Sequence, residues 1–234
     1  MTLTSLTATL VEILQLGPEI AGRVELPSKH WPVPGQYLAC QRVRDDMEIL
    51  PANLFPVLGI SHLLTVGPIP AVWQPGDQLA CALPQGHGYD VPVSARRVGL
   101  VPYRVSPARL MTLVTPVLAG GASVALFYEG HLTQEVLDWV PSQVEVLPLS
   151  ELLENPDWPD YLAVDLAREA IGSIFEQGAL SALNCEGEVL VRTPMPCRGL
   201  GECGVCAIYT KHGWRFACKD GPVFSMREVF DVAR

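Results

Sequence analysis

The C-terminal part of this 234-residue chain concentrates thiol side chains that could bind a metal. Four of the seven cysteines lie between residues 197 and 218. They are Cys197, Cys203, Cys206 and Cys218. Thiolates are the ligands of iron–sulfur clusters and of structural zinc sites. Gly199, Gly201 and Gly204 lie between the first three cysteines and would allow the backbone to approach the sulfurs closely. The segment therefore predicts a metal or cluster site.

The spacing of these cysteines favours a 2Fe-2S cluster. The pattern Cys-x5-Cys-x2-Cys-x11-Cys differs by one residue from the Cys-x4-Cys-x2-Cys spacing, with a distant fourth ligand, of plant-type ferredoxins. Zinc ribbons usually present two Cys-x2-Cys pairs, whereas this chain has one pair and two single cysteines. A zinc ion on the same four thiolates stays open as the alternative.

The other three cysteines, Cys40, Cys81 and Cys185, lie far apart in apolar surroundings. A disulfide framework would distribute cysteines more evenly along the chain. Free cysteine is commonly buried as a small hydrophobic residue. We therefore predict that these three residues are core thiols.

The amino-acid composition argues against nucleic-acid and membrane partners. With 25 acidic and 16 basic residues the formal net charge is −9, and binding of phosphates needs clustered Lys and Arg, so no nucleic-acid partner is predicted. Pro, Gly or charged residues interrupt the apolar stretches before the roughly 18 residues that a membrane span needs. The N-terminus lacks the basic region of a signal peptide. We expect a cytoplasmic protein without a membrane partner.

Strand and turn patterns divide the chain into three predicted units. Residues 1–97 show short alternating runs between Gly and Pro turns, which favours a small β-barrel or sandwich. Residues 98–182 alternate strands with helices, which indicates a small parallel α/β layer. Residues 183–234 form the cluster segment, where a hairpin is expected to return Cys218 to the other cysteines.

The individual elements follow from the same patterns. In the first unit, strands are predicted at residues 7–14, 21–26, 37–42, 57–60 and 78–83. In the second, strands are predicted at 98–101, 122–127, 144–147 and 161–164, and helices at 107–118 and 165–177. The hairpin consists of residues 207–210 and 214–217. Ser106 is the predicted N-cap of the first helix because Pro107 follows it.

The cysteine segment resembles the iron–sulfur segment of the electron-transfer subunit of type B dihydroorotate dehydrogenase. The matching motifs are Met195-Pro-Cys197, Gly201-Glu-Cys203-Gly-Val-Cys206 and the most specific one, Cys218-Lys-Asp-Gly-Pro-Val-Phe224. In that family the four cysteines bind a 2Fe-2S cluster. The resemblance implies the same role for Cys197, Cys203, Cys206 and Cys218.

The resemblance extends to the N-terminal unit. Pro34-Gly35-Gln36-Tyr37 is similar to the Pro-Gly-Gln-Phe motif of the flavin-binding barrel in ferredoxin-reductase-like proteins. Gly86-His87-Gly88-Tyr89 falls where that barrel ends. The implied architecture is a ferredoxin-reductase-like β-barrel, an α/β region like a nucleotide-binding domain, and a C-terminal 2Fe-2S segment.

The cofactor motifs of this family are eroded. Residues 50–57 lack the Arg and Ser that contact FAD, and residues 66–68 lack the turn that offers N–H groups to the flavin phosphate. FAD binding therefore stays open. Bulky residues replace the glycine-rich nucleotide loop at 101–107, and Val164-Asp165-Leu166 replaces the Cys-Gly-Pro at the nicotinamide, so we predict no NAD binding.

The functional prediction follows from these motifs. No Gly-x-Ser-x-Gly, P-loop or His-Glu-x-x-His motif occurs, so no catalytic residue is predicted. The sequence predicts an electron-transfer subunit that passes electrons between a flavin and a partner. By resemblance, that partner is a flavoprotein such as the dihydroorotate dehydrogenase catalytic subunit of pyrimidine biosynthesis, in a hetero-oligomer. The alternative is a non-catalytic interaction or redox-sensing subunit that retains the cluster, or a structural zinc, after losing flavin and nucleotide binding.

Overall fold

The computed structural model describes residues 5–43, 49–57, 63–130, 132–176, 183 and 185–230. The strands are β1 Ser5–Leu16, β2 Glu19–Glu25, β3 Leu38–Arg42, β4 Ala52–Pro56, β5 Leu64–Gly67, β6 Gln78–Ala82, β7 Arg97–Pro102, β8 Ser123–Tyr128, β9 Val144–Pro148, β10 Tyr161–Ala167, β11 Glu186–Arg192, β12 Ala207–Thr210, β13 Gly213–Phe216 and β14 Val223–Ser225. The α-helices are α1 Val114–Ala119, α2 Gln134–Leu137, α3 Leu149–Glu154, α4 Ile171–Glu176, α5 Ala217–Asp220 and α6 Met226–Phe230. Short 3-10 helices occupy Ser28–His30, Pro107–Leu113 and Arg168–Ala170. In this described part of the chain, no helix has the length and apolar character needed to cross a membrane.

The N-terminal unit is a closed six-stranded barrel, as predicted. Its strand order is β1-β2-β5-β4-β3-β6, and neighbouring strands are antiparallel. Alternate side chains point inwards, and Leu10, Leu38, Leu54 and Trp73 fill the interior. Of the predicted strand 57–60, Val57 follows β4, and the other three residues lie outside the described part of the chain.

Two of the three predicted core thiols are instead bonded to each other. Cys40 on β3 and Cys81 on β6 are register partners, with Cα atoms 4.1 Å apart, and they form a disulfide. The prediction failed because the pairing of β3 with β6, not sequence proximity, brings these residues together across 41 positions. Cys185 is a free, half-buried thiol, and burial raises its pKa.

The second sheet has six strands in the order β14-β11-β10-β7-β8-β9. Strands β7 to β11 are parallel, as the α/β prediction requires, and β14 adds an antiparallel edge. The chain builds β8 and β9 on one side of β7 and then places β10 and β11 on the other side. The carboxyl ends of β7 and β10 therefore flank the switch point, where open α/β sheets form their ligand crevice.

Both predicted helices of this region differ from the structure. The helix predicted at 165–177 is wrong at its start, because β10 continues through Ala167 and α4 begins only at Ile171. Asp165 and Leu166 near the end of β10 are fully buried in the sheet, and this burial outweighs their helical pattern. The helix predicted at 107–118 begins as a 3-10 helix before α1, and its N-cap is confirmed because Ser106 Oγ accepts a hydrogen bond from Ala108 N at 3.3 Å.

One hydrophobic core joins the barrel, the sheet and the cysteine segment. It contains Tyr37 and Phe55 from the barrel, Val164 from the sheet, and Cys206 and Cys218 from the C-terminal segment. β11 and β14, from the third predicted unit, complete the sheet of the second. The unit boundaries at residues 97 and 182 stay predictions. The shared core places the cysteines against both other units.

Candidate metal centre

The loop that carries the first three cysteines has an irregular backbone. Gly199 and Gly201 adopt φ angles of 82° and 71°, which only glycine adopts without strain. Arg198 has φ 53°. It is held at both ends, because its guanidinium donates to Gln41 Oε1 and its carbonyl accepts from Gln85 Nε2 at 3.1 Å. Barrel side chains therefore fix the shape of the loop.

The hairpin brings the fourth cysteine to this loop, as predicted. β12 and β13 form an antiparallel pair in which Ala207 lies opposite Phe216 and Thr210 lies opposite Gly213. The residues that flank the open end of this hairpin are therefore also neighbours. Ala217 N donates to Cys206 O at 3.1 Å. The predicted strand 214–217 ends one residue early, because α5 begins at Ala217. Cys218 follows directly and is buried, as is Cys206.

The four predicted ligand residues form one connected group. The Sγ atoms of Cys197 and Cys218 are 3.6 Å apart. Cys203 lies close enough to Cys197, and Cys206 close enough to Cys218, for the thiols to influence each other's ionisation. Among the described residues, no three His, Cys, Asp or Glu side chains already meet the geometry of a site for a single metal ion. The structure thus brings the four thiols together without assigning them a metal.

The surroundings of the thiols perturb their ionisation in opposite directions. Burial opposes the thiolate of Cys197, but hydrogen bonds from the Gly201 and Glu202 backbone and from the neighbouring thiols outweigh it and lower the pKa of Cys197 to about 7. Burial and the adjacent Cys206 and Cys197 raise the pKa of Cys218. Backbone N–H groups directed at a cysteine sulfur are a feature of iron–sulfur sites. The donor set therefore fits a thiolate-bound cluster.

The end of the barrel also contacts the segment after Cys218. His87 N donates to Gly221 O at 2.7 Å, and His87 Nδ1 lies 3.0 Å from Asp220 O. A Cβ atom on Gly86 would lie 2.4 Å from Pro222 Cδ, so only glycine allows this approach. Sequence reasoning placed His87 at the barrel end but missed these contacts. The partners are 133 positions apart and no local pattern marks them.

The four cysteines differ in exposure. Cys203 is exposed, and the same segment exposes the apolar side chains of Leu200, Val205, Tyr209 and Trp214. We call these five residues the outer face. Tyr209 and Trp214 pack edge to face with ring centroids 5.3 Å apart. Cys206 and Cys218 are buried.

A cleft of ≈ 520 Å³ lies between β4, the residues that follow β5, and the carboxyl ends of β10 and β11. Its lining includes Pro51, Pro68 and Pro70, which have no N–H groups to donate. Asn53, oriented to satisfy both of its contacts, donates to Met195 O at 3.3 Å and accepts from Met195 N at 3.0 Å. The start of the cysteine segment thus uses part of the β4 surface. Arg192 and Thr193 also line the cleft, so FAD binding stays open.

Four charged residues fill the crevice at the switch point. Arg109 Nε donates to Asp165 Oδ2 at 2.6 Å, and Arg192 Nε donates to Asp165 Oδ1 at 2.8 Å. Arg109 Nη1 and Nη2 donate to the two oxygens of Glu19 at 2.6 and 3.0 Å. Arg192 Nη1 lies 3.8 Å from Glu19 Oε1 and closes the ring. We call these residues the buried charge ring.

Two members of the charge ring are deeply buried, and Glu19 and Arg192 are partly exposed. Arg109 is 3% exposed and Asp165 is fully buried. Burial opposes the charged form of Arg109, but the carboxylates of Asp165 and Glu19 outweigh it and raise the pKa of Arg109. A dinucleotide would need this space and the backbone N–H groups around it. The residues present do not fit a nicotinamide dinucleotide.

The fold is that of ferredoxin-reductase-like proteins, and it carries a C-terminal cysteine segment. Over 97% of this chain and 91% of the other, the fold superposes with a TM-score of 0.72 and 16% identity on a structure described as NADH-dependent reduced ferredoxin-NADP oxidoreductase. Ferredoxin-NADP+ reductase from Plasmodium falciparum superposes with a TM-score of 0.56 and 10% identity, over 82% of this chain and 98% of the reductase.

Sequence comparisons show which iron–sulfur proteins the chain is similar to. Residues 193–230 match the family model described as the iron-sulfur cluster binding domain of dihydroorotate dehydrogenase B. The electron transfer subunit of dihydroorotate dehydrogenase B (NAD(+)) from Clostridium perfringens is 26% identical over 66% of this chain and 67% of that subunit. Sulfhydrogenase 1 subunit gamma from Pyrococcus furiosus is 43% identical over 44 residues, which are 19% of this chain and 14% of that subunit. The resemblance stated from the cysteine motifs is confirmed.

Proposed function

We propose that this chain is an electron-transfer subunit that holds a 2Fe-2S cluster on Cys197, Cys203, Cys206 and Cys218. The observation that carries the proposal is the connected group of four thiols within the segment that matches an iron–sulfur binding domain. Two features support a cluster: the near-ferredoxin spacing and the N–H groups directed at Cys197. Zinc on the same thiolates is the competing occupant.

The chain's own residues would do three things for the cluster. The glycine-containing loop directs the Gly201 and Glu202 N–H groups at a ligand sulfur and so offsets negative charge. The shared core covers the side of Cys206 and Cys218 and excludes water there. The exposed side at Cys203 leaves a short path for electrons. The cluster itself would supply one-electron exchange.

We further propose that the redox partner is a flavoprotein, such as a dihydroorotate dehydrogenase catalytic subunit of pyrimidine biosynthesis. The similarity to the electron transfer subunit of dihydroorotate dehydrogenase B from Clostridium perfringens supports this choice. The apolar outer face supports docking, since a subunit that exchanges electrons must approach its partner closely. We assign the flavin to the partner, because prolines without N–H groups line the cleft of this chain and its one lining arginine, Arg192, is already paired with Asp165.

A non-catalytic interaction or redox-sensing subunit is the second candidate. Its specific support is the buried charge ring, which fills the crevice where a nucleotide-dependent reductase would bind its substrate. Such a subunit would keep the cluster, or a structural zinc, without passing electrons onward.

Metal and sulfide analysis of anaerobically purified protein tests the proposal. We expect iron and acid-labile sulfide in equal amounts, about two of each per chain, and a brown protein. Stoichiometric zinc without sulfide, in a host with intact cluster assembly, would contradict the cluster. Flavin released by acid precipitation would contradict the assignment of the flavin to the partner. A cluster that no flavoprotein reduces or oxidises would favour the redox-sensing subunit.

A further inference from the structure

Tyr37 is fully buried, and its hydroxyl has no hydrogen-bond partner among the described residues. A buried hydroxyl that lacks a partner is unfavourable, and native proteins rarely leave one unsatisfied. Tyr37 shares one hydrophobic core with Cys206 and Cys218, and its backbone partner Gln85 holds the cysteine loop through the carbonyl of Arg198. A bound group is therefore the expected hydrogen-bond partner of the Tyr37 hydroxyl, since the described residues supply none.

The position of the Tyr37 ring is tightly defined. Tyr37 and Gln85 exchange two backbone hydrogen bonds, of 3.2 and 2.9 Å. The ring packs against Phe55 with centroids 5.8 Å apart. Gln85 in turn reaches the carbonyl of Arg198 in the cysteine loop. The ring is thus fixed to the same barrel edge that shapes the loop.

The hydroxyl is also placed to act as a donor. A phenol has an ordinary pKa of about 10, so the hydroxyl carries its proton at neutral pH. A thiolate or a bridging sulfide is an acceptor that could use this proton. In a buried environment such a hydrogen bond is stronger than in water.

We propose that the Tyr37 hydroxyl donates a hydrogen bond to a sulfur of the bound cluster, and that this bond favours the reduced cluster. The inference rests on the proposed cluster. Reduction adds one electron to the cluster while Tyr37 retains its proton, so the sulfur becomes a better acceptor and the bond strengthens. Tyr37 is in this sense a positioning residue that adjusts the reduction potential.

The test is the midpoint potential of the holoprotein with Tyr37→Phe, measured by an EPR-monitored redox titration. Phenylalanine removes only the hydroxyl. We expect the reduction equilibrium to weaken about tenfold, which for one electron is a potential about 59 mV lower. Tyr103→Phe is the matched control, because that buried hydroxyl contacts Ser173 Oγ at 3.4 Å instead. The control potential should equal that of the wild type.

Two further measurements separate the hydrogen bond from a packing role. In deuterated water, pulsed EPR should detect an exchangeable deuteron coupled to the wild-type cluster and a weaker signal in Tyr37→Phe. The cluster-free form of Tyr37→Phe should be at least as stable as the wild type, since the hydroxyl has no partner there. A loss of stability in the cluster-free form would reveal a protein partner and overturn the inference.

The experiments distinguish a failure of the Tyr37 inference from a failure of the proposed function. An intact cluster with an unchanged potential in Tyr37→Phe overturns the inference and leaves the proposed function standing. Wild-type protein without iron and sulfide overturns the proposed function, and the inference with it.

Discussion

At the residue scale, the cysteines divide into those that the site needs and those that it does not. Cys206→Ser removes a buried member of the thiol group, so we expect the iron content and the visible absorbance to fall to background. Cys185→Ser is the matched control, since Cys185 is a free thiol outside the group. It should keep the wild-type spectrum. Loss of colour in Cys185→Ser would show that the ligand set is wrong.

The sequence predicts single residues well only where their partners are close along the chain. The four clustered cysteines lie in one short segment, so their spacing alone indicates a common site. The Cys40–Cys81 disulfide and the Gln85 contact with Arg198 depend on strand register and on the docking of units. No local pattern carries that information, and the charge ring is missed for the same reason.

At the scale of elements, the buried charge ring connects β2, β10, β11 and the 3-10 helix after β7. Asp165→Asn would leave the Arg109 guanidinium, 3% exposed, without full charge compensation. We expect a loss of about 3–5 kcal/mol in the free energy of unfolding, measured by urea denaturation. The helical pattern at residues 165–177 hid this role, because Asp165 belongs to a buried strand whose tertiary contacts override the pattern.

An exposed ion pair provides the comparison for the charge ring. Glu12 and Arg23 are joined at 2.6 Å on the barrel surface, with side chains 49% and 36% exposed. Glu12→Gln should cost less than about 1 kcal/mol in the same denaturation experiment. Equal effects of the two substitutions would mean that the ring contributes no more than a surface pair.

At the scale of the whole molecule, the outer face is the surface that we expect to dock on the flavoprotein. Leu200 is 53% exposed beside Cys203, so Leu200→Asp should abolish or strongly weaken the complex without bleaching the cluster. Val93→Asp is the control, because Val93 is an apolar residue, 96% exposed, outside this face. Co-purification and size-exclusion chromatography measure both. An unaffected complex in Leu200→Asp would place the interface elsewhere.

The order of the three units could be predicted from the sequence, because each has its own strand, helix or cysteine pattern. The way in which the three units pack against each other could not be predicted from the sequence. Tyr37, Val164 and Cys218 meet in one core only after the barrel, the sheet and the hairpin have assembled. This core decides which side of the cysteine group is covered.

The difference in exposure between Cys203 and the buried Cys206 and Cys218 predicts how the electron donor and the electron acceptor share the protein surface. If electrons enter and leave beside Cys203, while Cys206 and Cys218 are covered, donor and acceptor must compete for the same surface. They would then bind in alternation and never together. Steady-state turnover should rise with donor concentration, pass through a maximum and decline as excess donor displaces the acceptor. Monotonic saturation would instead require a second route through the covered side.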